Sequence, residues 1–330
     1  MTGLDTTSGA DDTPRPNGKL AVVALGGNVL IRDAGHQSIP DQYAIVEELA
    51  PHLIDLVASG WRLVVTHGNG PQAGFIMRRS ELASPEVAPV PLDYVVGDTQ
   101  GAMGYMFVKA LANELHRRKL LMPVVAVVTQ AVVDAGDPAF GHPTKPVGTF
   151  LDEATARHYA DTLGWTIAED SGRGWRRTVP SPIPVEVVEL PTIAALIEQG
   201  TLVVAGGGGG IPVVRDPEGR LRGVEAVIDK DLTSARIADG IGADLLVLCT
   251  GEERVAVDFG TPQQRWLDRL SLTEARELAD SGQLGEGSMK PKVEALIDFV
   301  RRRPDAAGVI TTPDRLSGVP TRRTGTWISA

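Results

Sequence analysis

Cysteine is almost absent from this chain of 330 residues, in which Cys249 is the only one. A single cysteine excludes an intramolecular disulfide and any zinc site built from several thiolates. Because Cys249 lies within an apolar run typical of a buried strand, we predict that it is a small core residue.

Long apolar segments and an excess of positive charge are also missing. No apolar run approaches the roughly 20 residues needed to span a bilayer, so we expect no membrane span. The 42 Asp and Glu residues outnumber the 32 Lys and Arg residues, which gives a formal net charge of −10. A general nucleic-acid binder needs a broad basic surface, so that class is excluded. An anionic ligand must therefore meet positive charge that is placed locally.

The first 18 residues combine acidic residues, prolines and hydroxyl side chains, without a basic stretch followed by an apolar one. This composition is typical of neither a signal peptide nor a transit peptide. We expect a disordered tail on a cytoplasmic protein.

Apolar, β-branched runs that stop at glycines alternate with stretches of helical periodicity. We predict buried strands at 19–25, 61–66, 123–129 and 201–205, and helices at 41–59 and 97–119. Strands and helices that alternate with short turns indicate an α/β sandwich with a largely parallel sheet.

Three glycine-rich turns follow predicted strands, at residues 26–28, 68–70 and 206–210, the last with five consecutive glycines. Peptide N–H groups without neighbouring side chains can form a concave cradle for anionic oxygens. In an open parallel sheet, ligands bind beyond the carboxyl ends of the strands, so we expect turns of this kind to face one crevice. A mobile linker is the alternative at 206–210, but the apolar segments on both sides disfavour it.

Positive charge is concentrated near two predicted helix starts. Lys230 stands between Asp229 and Asp231, which would keep it charged and fix its orientation. Lys290 and Lys292 lie near another helix N-terminus, where cations oppose the helix dipole unless an anion is bound.

A third candidate cation, Lys145, lies between two prolines in the segment 134–184. This segment, which we call the lid, is rich in proline and glycine and too long for an ordinary loop. We predict that it is either a functional lid or a unit with secondary structure of its own.

Backbone donors and separately placed cations are what phosphoryl transfer requires, since the protein must mainly stabilise charge on the oxygens in flight. The sequence has neither a P-loop motif nor a dinucleotide-binding fingerprint with its spaced acid. The histidines show no metal-ligand spacing, and we predict a structural role for His67.

Seven motifs, in order from about residue 19 to residue 312, together resemble carbamate kinase, of the amino-acid-kinase superfamily. Each motif alone is weak, but seven in order are specific. They are Ala-Leu-Gly-Gly-Asn at 24–28, His-Gly-Asn-Gly-Pro-Gln at 67–72, Pro-Thr-Lys-Pro-Val-Gly at 143–148, Val-Pro-Ser-Pro at 179–182, the glycine run at 205–212, Ile-Asp-Lys-Asp at 228–231 and Gly-Ser-Met-Lys-Pro-Lys-Val-Glu at 287–294.

The resemblance implies a three-layer αβα sandwich with a mainly parallel central sheet, two lobes and a protruding lid subdomain. The substrate lobe would span 19–225 and include the lid, and the nucleotide lobe would span 226–330. The implied enzyme is an ATP-dependent phosphotransferase with a carbamate acceptor, which reversibly converts carbamoyl phosphate and ADP into ATP and carbamate. The family resemblance also implies a homodimer.

The resemblance further implies roles for individual residues. The catalytic group would be Lys145, Lys230, Asp231 and Lys292, with Asp231 orienting the lysines. The substrate would be held by Gly26, Gly27, Asn28, Gly68, Asn69 and Gly70. The nucleotide, ATP or ADP with Mg²⁺, would be held by Gly207, Gly208, Gly209, Thr250, Ser288 and Met289. Mg²⁺ would be bound mostly by phosphates and water, with no dedicated protein site.

Two alternatives remain open from the sequence. One is a different superfamily kinase that acts on acetylglutamate, glutamate or UMP, although Lys145 in the lid suits a very small planar anion. The other is a non-catalytic sensor of nucleotide or carbamoyl phosphate, which would ordinarily lack one of the charged residues in the catalytic group.

Overall fold

The computed structural model describes residues 18–33, 35–170, 172–285 and 289–330, and for Asn28 it describes the backbone alone. The predicted disordered tail at 1–18 lies almost wholly outside these residues. None of the helices within the described ranges is long and apolar enough to cross a membrane.

The strands and helices alternate along most of the chain. The strands are β1 Leu20–Leu25, β2 Arg62–His67, β3 Val124–Ala126, β4 Gln130–Val133, β5 Lys145–Leu151, β6 Thr166–Glu169, β7 Trp175–Val179, β8 Pro184–Val187, β9 Leu202–Val204, β10 Ile211–Arg215, β11 Leu221–Gly223, β12 Leu245–Cys249, β13 Val255–Val257, β14 Arg265–Leu267, β15 Arg269–Ser271, β16 Ala307–Thr311 and β17 Thr326–Ser329. The helices are α1 Ile39–Ala58, α2 Gly70–Ala83, α3 Leu92–Arg117, α4 Glu153–Leu163, α5 Leu190–Glu198, α6 Lys230–Gly240, α7 Leu272–Asp280 and α8 Met289–Arg302.

In the part of the chain that the structure describes, eight strands form the central sheet, in the order β15-β17-β16-β12-β1-β2-β9-β3. Neighbouring strands are parallel except β16 and β17, which run antiparallel. β1 lies in the middle and every residue of it is buried. Its side chains alternate between two cores, so that Val22 packs on one face of the sheet and Val23 on the other.

Helices cover both faces of this sheet. α1 and α3 pack on the face of Val23, and α5, α6, α7 and α8 pack on the face of Val22. A strand buried on both faces must be apolar throughout, which is why the continuous apolar runs of the sequence predicted it. The three-layer αβα sandwich with a mainly parallel sheet is confirmed.

The predicted helices are present with shifted ends. α1 begins after Ser38, whose hydroxyl accepts from the backbone of Asp41 in a capping box. α3 begins at Leu92, five residues before the predicted start at Gly97. The helix therefore runs through Gly97, where an added Cβ would only come into ordinary van der Waals contact with Ile211.

The predicted strand at 123–129 is wrong in extent. Only Val124–Ala126 joins the central sheet, as its edge strand β3, and Gln130–Val133 belongs to a second sheet, in the order β11-β10-β4-β8. The backbone of Thr129, between the two strands, is bonded on both its N–H and its C=O by the side chain of Gln100. The Thr129 carbonyl also accepts from the Ile211 nitrogen of β10, so the Gln100 side chain adds to the strand contacts at the point where the chain changes sheets.

The lid has secondary structure of its own. β5, β7 and β6 form an antiparallel sheet, and α4 packs beside it. The two proposed lobes share the central sheet, because β1 pairs with β2 from the first lobe and with β12 from the second. The boundary near residue 225 therefore stays a prediction.

Candidate active site

A cavity of about 460 Å³ opens where β1, β2 and β12 end and where α6 and α8 begin. This is the crevice beyond the carboxyl ends of parallel strands where ligands bind in open α/β sheets. The cavity is lined by Gly26, Gly27, Val29, Gly68, Asn69, Gly70, Lys145, Gly208, Val227, Ile228, Asp229, Lys230, Asp231, Cys249, Thr250, Gly251 and Lys292.

The turns after β1 and β2 are packed backbone to backbone. A Cβ placed on Gly68 would lie 2.5 Å from the Gly27 nitrogen, and a Cβ on Gly27 would lie 3.0 Å from the Asn69 nitrogen. Neither glycine can carry a side chain without separating the two turns. Their peptide groups thus form one wall of the cavity, as the sequence predicted.

The five-glycine run is more buried than a phosphate cradle requires. Gly206, Gly208, Gly209 and Gly210 have φ between +61° and +89°, a region that side chains disfavour. The N–H groups of Gly206, Gly209 and Gly210 already donate to protein oxygens. Of the three glycines predicted to bind nucleotide, Gly208 lines the cavity, whereas Gly207 and Gly209 pack against neighbouring protein atoms.

The first turn of α6 delivers a charged cluster to the cavity. Asp229 caps this helix, because its Oδ1 accepts from the Asp231 nitrogen at 2.9 Å. Asp231, only 3% exposed, accepts from the ammonium groups of Lys230 and Lys292, the latter at 3.0 Å. Residues that are distant in sequence, on α6 and α8, thus converge on one carboxylate.

The protonation of Asp231 follows from its two partners. Burial alone would raise the pKa of this carboxyl group, but the charges of Lys230 and Lys292 outweigh burial and hold the pKa below its usual value. Asp231 is therefore ionised, and it fixes two ammonium groups at the mouth of the cavity.

The lid contributes a third ammonium group. Lys145, at the start of β5, donates to Asp229 Oδ2 at 3.1 Å. Lys145, Lys230 and Lys292 line the same cavity, as the sequence predicted. Three ammonium groups against the carboxylates of Asp229 and Asp231 leave one net positive charge, at the positive end of a helix dipole.

The remaining residues predicted to bind substrate or nucleotide do not all line the cavity. Thr250 and Gly70 line the cavity, whereas Met289 packs against the core at the first position of α8. Ser288 and the side chain of Asn28 lie outside the described part of the chain. In the residues that the structure does describe, no three His, Cys, Asp or Glu side chains are grouped to hold a metal.

Two buried titratable residues near the cavity are neutral. Burial lowers the pKa of His67 to about 4, although a hydrogen bond to the Gly68 carbonyl partly opposes this. The ring stacks on Phe107 at 5.4 Å, which fits the predicted structural role. Burial raises the pKa of Cys249 to about 12, so this thiol is the core residue that the sequence predicted.

Thr99 and Gln100, adjacent polar residues on the buried side of α3, were not among the predicted site residues. Thr99 accepts from the Asn69 amide nitrogen, and Gln100 donates to the Gly207 carbonyl. A signal was present, since both fall among the apolar positions of a helical pattern, where polar side chains need partners.

Comparison with known proteins gives consistent relatives over nearly the whole chain. Residues 19–310 match the model of the amino acid kinase family. The carbamate kinase of Thermococcus kodakarensis is 42% identical over 94% of this chain and 99% of its own length. The carbamate kinase-like protein YahI of Escherichia coli is 44% identical over 94% and 98%. The structure of carbamate kinase from Giardia lamblia bound to AMP-PNP matches with a TM-score of 0.89 and 35% identity, covering 96% of this chain and 99% of that one.

The contact between the two glycine turns yields a first prediction. We expect Gly68→Ala to lower kcat/KM for phosphoryl transfer on the order of a hundredfold, because the added methyl group would meet the Gly27 backbone and shift donors by a fraction of an ångström to one ångström. Steady-state kinetics measures this. Gly141→Ala is the matched control, since no atom of the described residues lies within 4 Å of its Cβ position. Equal kinetics for the two variants would contradict the packing argument.

The buried neutral His67 yields a second prediction. The pKa of His67 is about 4 when folded and near 6.5 when unfolded, so its contribution is fully present above pH 6.5 and is lost as pH falls toward 4. The difference corresponds to about 3 kcal/mol of unfolding free energy. Urea unfolding between pH 7.5 and 4.5 should show a flatter pH dependence for His67→Gln than for the wild type. The exposed His116→Gln serves as control, and parallel curves for all three proteins would refute the assignment.

Proposed function

This chain belongs to the amino acid kinase family and, within it, to the carbamate kinases, and on that premise we propose the reaction and the residue roles that follow. A phosphoryl group passes between carbamoyl phosphate and ADP. An oxygen of the ADP β-phosphate forms a bond to phosphorus, and the bond from phosphorus to the carbamate oxygen breaks. The products are ATP and carbamate, which decomposes to ammonia and carbon dioxide. The observation that carries this proposal is the convergence of three lysines over glycine backbone in one cavity.

Lys230 and Lys292 are the proposed stabilisers of the phosphoryl group. Negative charge on the three oxygens in flight needs fixed positive charge that requires no reorganisation at the moment of reaction. Asp231 supplies that rigidity, since it holds both ammonium groups while it is itself buried. The peptide N–H groups of the turns at 26–28 and 68–70 add donors from the opposite wall.

Lys145 is the proposed contact to the small acceptor. Its side chain is 40% exposed, and among the described residues Asp229 is the one carboxylate that holds it, so an entering anion can compete for its ammonium group. The space between Lys145 and the glycine turns suits a short planar anion, whereas an amino acid acceptor requires a larger pocket. This arrangement supports carbamate over acetylglutamate or UMP.

The nucleotide is the proposed occupant of the side of the cavity formed by Thr250, Gly251 and the start of α8. The relative from Giardia lamblia was solved with AMP-PNP, which supports nucleotide use by this chain. We propose Mg²⁺ as the companion ion, bound mainly by phosphate oxygens and water. The donor set fits this role, because both carboxylates at the start of α6 are already engaged, Asp229 by Lys145 and the Asp231 nitrogen, and Asp231 by two lysines. Phosphate oxygens and water are thus left as the main ligands. When bound, Mg²⁺ would neutralise phosphate charge.

A homodimer is the proposed assembly, formed through the exposed side of α3. Tyr94 and Tyr105 are 67% and 65% exposed, and Gly101 lies between them at helical spacing. β3, on which α3 packs, is an unpaired edge of the central sheet, and Leu121 beside it is 84% exposed. Aromatic side chains around a small residue suit close approach of two α3 helices about a twofold axis.

The cytoplasm stays the proposed compartment, in keeping with the single cysteine.

The reaction is tested directly with purified protein. ATP should form from carbamoyl phosphate and ADP, while acetylglutamate, glutamate and UMP should give no turnover as acceptors from ATP. Lys230→Ala should lower kcat on the order of a thousandfold with an unchanged circular dichroism spectrum, since one of the two charges on Asp231 is lost. Lys19→Ala, a lysine stacked on Trp61, is the control. Turnover of another acceptor, or near wild-type activity of Lys230→Ala, would refute the proposal.

The assembly has its own prediction. Tyr105→Arg places two like charges near the proposed twofold axis, so sedimentation velocity should show a monomer where the wild type shows a dimer. Phe259→Arg changes an equally exposed aromatic residue, 59% accessible, away from α3 and should remain dimeric. A dimeric Tyr105→Arg would place the interface on another surface.

A further inference from the structure

Two adjacent polar side chains face inward from the middle of α3. Thr99 is 1% exposed and Gln100 is 5% exposed. A buried polar group costs stability unless its hydrogen bonds are made, so such residues on a packed helix face require an explanation. Each of the two bonds a different glycine turn of the cavity.

Thr99 bonds the turn that follows β2. Its hydroxyl accepts from Asn69 Nδ2 at 2.8 Å and donates to the Val96 carbonyl at 2.7 Å. The amide of Asn69 also fills the space that a Cβ on Gly208 would take, with Nδ2 only 2.2 Å from that position. The Asn69 side chain is therefore wedged between α3 and the five-glycine run, with its amide nitrogen directed at the helix.

Gln100 bonds the five-glycine run and the end of the neighbouring strand. Its Nε2 donates to the Gly207 carbonyl at 2.9 Å and to the Thr129 carbonyl at 3.0 Å, and its Oε1 accepts from the Thr129 nitrogen at 2.7 Å. Thr129 Oγ1 in turn accepts from the Gly206 nitrogen at 2.9 Å. Both N–H groups of the Gln100 amide are thus used, and both ends of the Gly206–Gly207 unit are held.

The orientation of one peptide follows from the two hydrogen bonds that the Gly207 carbonyl accepts, one from Gln100 Nε2 and one from the Gly210 nitrogen. The C=O and N–H of a trans peptide point in opposite directions. When Gln100 holds the Gly207 carbonyl on the side of α3, the N–H of Gly208 in the same peptide is turned away from the helix. Gly208 is the glycine of this run that lines the cavity.

We propose that Thr99 and Gln100 are positioning residues for phosphoryl transfer, which fix the turns at 68–70 and 206–210 relative to each other. This rests on the proposed function. In this role the Asn69 side chain keeps the two turns at a fixed separation, and Asn69 contributes to substrate binding through its backbone. A helix of 26 residues is a rigid base for both turns, which suits catalysis by backbone donors that must already be in place.

Thr99→Val is the decisive variant, because valine keeps the shape of threonine and removes only the hydroxyl group. It leaves Asn69 Nδ2 without its acceptor inside the protein. We expect kcat/KM for carbamoyl phosphate to fall about tenfold, while KM for ADP stays within about twofold. The proposed nucleotide side of the cavity is formed by Thr250, Gly251 and the start of α8, and not by the turn at 68–70 that Thr99 bonds. Thr99→Ser should restore wild-type kinetics.

The control is Thr326→Val in β17, at the far side of the sheet. Thr326 is also fully buried; its hydroxyl accepts from the Val255 nitrogen at 2.8 Å and donates to the Leu267 carbonyl. This variant should lose comparable thermal stability but keep wild-type kinetics. If Thr99→Val behaves in the same way as Thr326→Val, Thr99 has a purely structural role and the proposal is overturned.

Hydrogen exchange read by mass spectrometry separates this proposal from the proposed function. In Thr99→Val and in Gln100→Leu, amides at 68–70 and 206–210 should exchange faster, whereas those of β12 should not. Absence of wild-type activity on carbamoyl phosphate would refute the function, and exchange would still decide the anchoring. Unchanged exchange in both turns would overturn the proposal. Should Gln100→Leu fail to fold, Thr99→Val decides alone.

Discussion

Two ammonium groups meet on the buried carboxylate of Asp231, and the rest of the site depends on that contact. Lys230 and Lys292 repel each other, and each also opposes the dipole of the helix near whose N-terminus it lies. Asp231 offsets this repulsion and is kept ionised by the same lysines, so neither charge is stable in place without the other. With Lys145, this contact gives an acidic protein a local region of positive charge.

Backbone supplies the opposite wall because side chains would not fit there. The turns after β1 and β2 touch through Gly27 and Gly68, at distances that leave no room for a Cβ. The five-glycine run serves a related purpose, since it lets Asn69 pass across Gly208 and lets Ile228 approach Gly209. Glycine is thus required at these positions for close packing as much as for contact with a ligand.

α3 connects the turns of the cavity with the proposed dimer contact. Its inner side carries Thr99 and Gln100, which reach the turns of the cavity, and its outer side carries Tyr94 and Tyr105, the proposed dimer contact. The lid is joined in a similar way, because Asp229 caps α6 with one oxygen and holds Lys145 with the other. Each part of the cavity is therefore tied to an element packed on the central sheet.

Much of this protein was determined by local pattern. Continuous apolar runs gave buried parallel strands, and their ends at glycines gave the location of the cavity, because a strand buried on both faces cannot be polar. The lysines were found from charges placed at helix starts and from the order of motifs along the chain. Only the tertiary structure decided which polar groups meet. Lys292 bonds Asp231, 61 residues away in the sequence, and the Asn69 side chain packs against Gly208. The predicted strand ends before Thr129, whose backbone is bonded by Gln100. Local sequence cannot encode such partners, since a hydrogen bond depends on the relative placement of elements that are packed together only in the folded chain.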